Sequence, residues 1–183
     1  MGGRAGGGAG MGRGSRGGGR GGLARALSAR ESGIRDSETE KLSAVDAKGK
    51  ELYHTDAGLD NQVEVPDSVA PRLKNAIVTH NHPNGNSFSG GDIQSAIEMN
   101  LSEIRVVTSN YTFSMKRPKG GWRSAEKASQ VYKSTFSKVL NSDMKYQSGR
   151  GDTGFDRSMK TMQHRIVKEF SKQMGYNYSK KRK

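Results

Sequence analysis

From residue 37 onward the hydrophobic and polar positions fall into short, separable runs. Glu40 to Asp46 reads as a strand, Asp46-Ala47-Lys48-Gly49 as a turn, and Lys50 to Thr55 as the return strand of a hairpin. Gln62 to Val65 is expected as a further short strand. Pro66-Asp67-Ser68 is expected to open a helix running through Val69 and Leu73. The run Ala76-Ile77-Val78-Thr79 is apolar and β-branched, as a buried strand requires, and it delivers His80 and His82 at its C-terminal end. Side chains alternate along a strand, so two histidines two positions apart project to the same side.

Helical spacing follows. Ser89-Gly90-Gly91-Asp92 reads as a helix start, with Ser89 as N-cap and Asp92 three residues in. From Asp92 to Leu101, the residues Ile93, Ala96, Ile97 and Leu101 share one face. A second hairpin is expected from Ile104–Thr108 and Tyr111–Met115. Beyond Trp122, Ala128, Val131, Tyr132, Thr135, Phe136, Val139 and Leu140 recur at three and four. Asn141 to Gly154 is expected as a loop, and Phe155 to Met174 as a second amphipathic helix stopped by Gly175. The Met159, Met162 and Met174 stripe reads as packing. No internal repeat is present.

The ends are different. Residues 1–22 are almost all Gly and Arg, with too few apolar groups to bury, and are expected to be disordered; residues 23–37 form a transition with some helix around Leu23 to Leu27. The chain therefore divides into a disordered Gly/Arg-rich tail (1–35), a metal-binding domain (36–123) and a helical extension with a basic tail (124–183).

Composition narrows the chemistry. The formal net charge is +13, which favours acidic partners such as nucleic acid or acidic protein. With no cysteine, disulfides and thiolate ligands are excluded, so a metal must be held by His, Asp, Glu and water. No apolar run is long enough to span a membrane, and the protein is expected to be soluble and made in a cytoplasm. The letters His80-Asn81-His82 do not make an HNH nuclease, whose motif is spread over a ββα unit. His54 and His164 lack partners at useful spacing and read as surface or helix residues.

The order His80-x-His82-Pro83, a loop, then Ser89-x-x-Asp92, preceded by a glutamate-bearing hairpin, resembles the JAB/MPN (JAMM) metallopeptidase motif. Thr79-His80-Asn81-His82-Pro83, Ser87-Phe88-Ser89, Asn100 to Val106, Met115 to Pro118 with Gly121-Trp122, and the ending around His164 and Gly175 to Tyr178 are similar to JAB-like domains of phage head morphogenesis proteins. The likeness covers roughly residues 37–178. It implies an α+β fold, JAB/MPN-like and layered as in cytidine deaminases, with a mixed β-sheet flanked by helices. It implies Zn2+ held by His80, His82, Asp92 and a water, with a glutamate as general base. Glu40 is the choice for that base; Glu38, on the same strand face, stays as an alternative, and Glu51 ranks behind both. Ser89 would hold a tetrahedral oxyanion, cap the helix, or both. Pro83 to Phe88 make this loop one residue shorter than the common family spacing.

Three functions are thereby in play. The first is a zinc-dependent peptidase or isopeptidase linked to phage head assembly. The second is a non-catalytic head protein using the domain as a scaffold among virion proteins. The third is nucleic-acid contact through the basic tails.

Overall fold

The computed structural model describes residues 18–59, 62–147 and 152–183, with side chains over 21–59, 62–145 and 161–183. The β-branched run Ile77–Asn81 forms β3, buried at every position. It is flanked by β1 (Leu42–Val45), antiparallel, and by β4 (Glu103–Val107), parallel. β2 (Glu51–Thr55) pairs outside β1, β5 (Tyr111–Lys116) outside β4, and β6 (Asn177–Arg182) outside β5. The order is β2-β1-β3-β4-β5-β6. One parallel pair among antiparallel ones makes the sheet mixed and the fold α+β, as expected. A parallel pair needs a crossover, and α2 (Gly90–Glu98) supplies it.

Register assigns the faces. Leu42 lies beside His80, Ala44 beside Val78, Val78 beside Ile104, and Val106 beside Phe113. This face packs against Phe88, Ile93 and Leu101, and against Val167, Phe170 and Met174. α2, α3 (Ala125–Gln147) and α4 (Asp152–Met174) thus cover it. On the opposite face Val45 and Ile77 meet Leu27 and Leu23 of α1 (Gly18–Ile34). The result is helix, sheet, helices in three layers.

Several expectations are corrected here. α1 takes the place of the disordered tail from residue 18 to its end; residues 1–17 lie outside the described residues. The reason is tertiary: Leu27 and Glu31 are buried against the sheet, and Arg35 donates to the carbonyls of Thr108 and Tyr111. The basic tail stays exposed at Lys180–Lys183, and Lys180–Arg182 of it belong to β6, which closes one sheet edge with five exposed residues and one half-buried. α3 runs through Asn141–Gln147 where a loop is expected, and α4 starts at Asp152; residues 148–151 lie outside the described residues. Phe136 is exposed, while Thr135 takes the buried place. Gln62–Val65 makes only a single bridge, Leu59 to Gln62, and the expected helix after Pro66 shrinks to a 3-10 turn, Ala70–Leu73. Glu40 and Lys41 precede β1 rather than belonging to it. Among the described residues no helix is long and apolar enough to cross a membrane.

Candidate metal centre

His80 is the penultimate residue of β3 and His82 follows the strand, so both rings leave on the main-core side. Their Nε2 atoms stand 3.0 Å apart, and both residues are buried. Asp92 arrives from the first turn of α2. Ser89 is the N-cap, in a reciprocal capping box: its Oγ accepts from the Asp92 N–H at 3.1 Å, and its own N–H donates to Asp92 Oδ2 at 2.6 Å. The Ser89 hydroxyl also donates to Oδ2 at 2.8 Å. That leaves Asp92 Oδ1 at 3.1 Å from His80 Nε2, with Oδ2 3.5 Å from His82 Nε2. The structure brings these three residues together and gives Ser89 the work of capping the helix and holding Asp92.

The three glutamates separate by burial. Glu38 is exposed. Glu51 points away, engaged by Arg30 and, at 2.8 Å, by His54. Glu40 is buried, and its Oε1 lies 3.7 Å from His82 Nε2. Glu40, His80 and His82 each offer one ligand atom within 4.8 Å of the others, a group that could hold a metal ion. Two imidazoles with carboxylates and no thiolate suit a borderline divalent cation.

Residues that sequence reasoning passed over hold this arrangement. The Asn81 amide, fully buried between the two histidines in sequence, faces the other way. Its Oδ1 accepts from Lys41 N–H at 2.7 Å, and its Nδ2 donates to the Ser37 and Thr39 carbonyls at 3.1 and 3.0 Å. Asn81 thereby clamps the segment on both sides of Glu40. The Glu40 N–H donates to Leu59 O at 2.9 Å. Next to Leu59, Gly58 passes so close that a Cβ there would lie 1.9 Å from the Glu40 carbonyl oxygen. His82 Nδ1 donates to the Asn86 carbonyl at 3.2 Å, which leaves its Nε2 lone pair for the site. His80 Nδ1 is buried without a hydrogen-bond partner, so that ring is held through Nε2 alone. Further out, the Tyr178 hydroxyl lies 2.8 Å from both Ser87 Oγ and His164 Nδ1. His164 lies in α4, as a helix residue, and is half-buried. The only signal for these roles was the position of Asn81 between two histidines and of Tyr178 in a polar C-terminal strand.

The electrostatics sort the groups. Burial pushes the Glu40 carboxyl up to about 7; His80 opposes this and Asp92 adds to it. Burial, with the His80 charge, pushes His82 down to about 4 against the pull of Asp92, keeping it neutral as a ligand must be. For His80, burial disfavours the cation, but the Asp92 contact and the Glu40 charge outweigh it and raise the pKa. For Asp92, burial favours the neutral acid, yet both imidazoles and the Ser89 N–H hold it well below the usual carboxylate range.

A cleft of about 830 Å³ opens over these groups. Gln62–Val65 and Asp67 line it, together with the start of α2, Ser95, Glu98 and Met99. No protein-family model, curated protein or solved structure matches the chain.

Proposed function

We propose that the chain is a zinc-dependent hydrolase of the JAB/MPN type, acting on peptide or isopeptide bonds. The observation that carries this reading is the placement of buried Glu40 beside His82, while Asp92 touches both imidazoles in the same cleft. The order of elements supports it: a hairpin preceded by the glutamate, a strand ending in His-x-His, and a helix begun by Ser-x-x-Asp.

His80, His82 and Asp92 would hold the ion. When bound, zinc supplies a Lewis acid that brings the pKa of a water towards ~7. Glu40 then takes the attacking water's proton on a carboxylate oxygen and gives it to the leaving amine. Ser89 keeps Asp92 oriented, and Asn81 with Gly58 keeps Glu40 at the cleft. The resemblance in the motifs gives the setting: a protein substrate in phage head assembly.

The test is cleavage of peptide and isopeptide libraries by the zinc-loaded protein. Wild type should cleave, and Glu40→Gln should retain zinc yet lose roughly a hundredfold or more in rate. Equal rates in the two proteins would remove Glu40 from the mechanism and the reading with it.

A second role is favoured by one observation. β6 presents Lys180, Lys181 and Arg182 exposed at a sheet edge, with Lys183 beside them. Contact with an acidic polymer there would weaken steeply with salt.

A further inference from the structure

The substrate class can be read from charge, granted that this cleft is the hydrolytic centre. Residues 123–183 carry 15 Lys and Arg against 5 Asp and Glu, whereas residues 36–122 carry 9 against 12. The cleft concentrates that reversal. Glu40, Glu64, Asp67, Asp92 and Glu98 line it, and no lysine or arginine does among the described residues. Glu64, Asp67 and Glu98 are exposed and make no ion pair among the described residues. Among the described residues, Glu64 and Glu98 accept only from the neutral amides of Gln62 and Gln94, each at 2.7 Å. Carboxylates from two separate segments lining one concave site, beside a group of side chains that could hold a metal ion, focus a negative potential along the path a substrate must take. In a chain of net charge +13, such a cleft attracts cations while the rest of the surface repels them.

We propose that the cleft selects an extended peptide segment bearing lysine or arginine beside the scissile bond, with Glu64, Asp67 and Glu98 of its lining reading those cations. The experiment uses the full chain as Glu40→Gln, so that binding is measured without turnover. The probes are two fluorescent Gly/Ser peptides, one with three arginines and one with three glutamates, followed by anisotropy at low and high salt. The arginine peptide should bind at least about tenfold tighter. Glu64→Lys/Asp67→Lys/Glu98→Lys should abolish that preference with zinc content unchanged. Equal binding of the two probes, or full binding by the triple variant, would overturn the proposal. If the arginine peptide binds as expected but wild type cleaves nothing, the hydrolase reading fails and the cation-selective cleft stands.

Independently, the geometry assigns Tyr178 a positioning role towards the metal ligands. Its hydroxyl reaches 2.8 Å to Ser87 Oγ, and Ser87 follows Asn86, whose carbonyl orients His82 through Nδ1. Phe113 stacks parallel to the Tyr178 ring at 6.4 Å and Phe88 meets it edge-on at 6.1 Å, so the ring stays packed without the hydroxyl. Tyr178→Phe should lower zinc affinity about tenfold by competition titration, beyond the loss of stability that its two hydrogen bonds, to Ser87 and His164, cost the zinc-free protein. Ser87→Ala should do the same, and the double variant should be no worse than either. A Tyr178→Phe protein that is less stable but binds zinc as wild type does would reduce Tyr178 to packing and end the proposal.

Discussion

Glu40→Gln should stabilise the zinc-free protein, and only at high pH. The Glu40 pKa is raised from 4.5 to about 7 in the fold, chiefly by burial. The sign is the reverse of a carboxylate in an ion pair. Below pH 4.5, folded and unfolded chains both hold the proton and the residue costs nothing. Between that value and about 7, the unfolded chain releases a proton that the fold keeps, so stability falls as pH rises. Above it the whole penalty is present: the difference between 4.5 and about 7 corresponds to about 3 kcal/mol. Glutamine has nearly the same shape and no charge to desolvate, so it removes that penalty. Urea unfolding of both metal-stripped proteins from pH 4 to 8.5 is the assay. The two curves should coincide at acid pH and separate by about 3 kcal/mol at the alkaline end, or roughly 6–12 °C in Tm for a chain of this size. A constant difference across the range, or a destabilised Gln variant at pH 8, would refute the argument that Glu40 is held charged against its burial.

Other perturbations should behave as specifically. Asn81→Ala removes one acceptor and one amide donor from three part-buried backbone groups. It should cost about 3 kcal/mol in urea unfolding and release Glu40 from the cleft, seen as weaker zinc binding by titration. Gly58→Ala forces the Glu40 backbone away, because the new Cβ would sit 1.9 Å from its carbonyl oxygen. Gly33→Ala in α1, with nothing within 4 Å, is the control and should be neutral or slightly stabilising by thermal melt. Leu27→Ala should cost about 2 kcal/mol and make α1 sensitive to proteolysis, since among the described residues its hydrophobic cluster is small, Leu27 with Leu23, Val45 and Ile77.

How far the sequence revealed the fold depended on where the stabilising contacts lie. β3, α2 and the β4–β5 hairpin were legible because their apolar periods match their own buried faces. β6 was not, because a lysine-rich edge strand buries little and is held by main-chain pairing to β5 and by Tyr178. α1 was hidden by its glycines; its helix depends on Leu23 and Leu27 meeting a distant sheet face. The continuation of α3 past Asn141 was masked by polar residues, although Asp143 there pairs with Arg165 of α4. In the site, His80, His82 and Asp92 were readable from local spacing, whereas the choice of Glu40 over Glu38 needed burial, which spacing cannot supply. Asn81 was visible as a letter between two histidines. Its clamp on residues 37–41 joins segments some forty positions apart.

The proposed hydrolase requires a divalent ion held in this cleft by His80, His82 and Asp92. Metal analysis of the purified full chain after dialysis against limiting zinc tests it most directly. Wild type and Glu40→Gln should each retain one zinc per chain, while His80→Ala, His82→Ala and Asp92→Ala should lose it and remain folded. A wild-type chain that retains no zinc, or a His80→Ala/His82→Ala protein that retains it fully, would contradict the account.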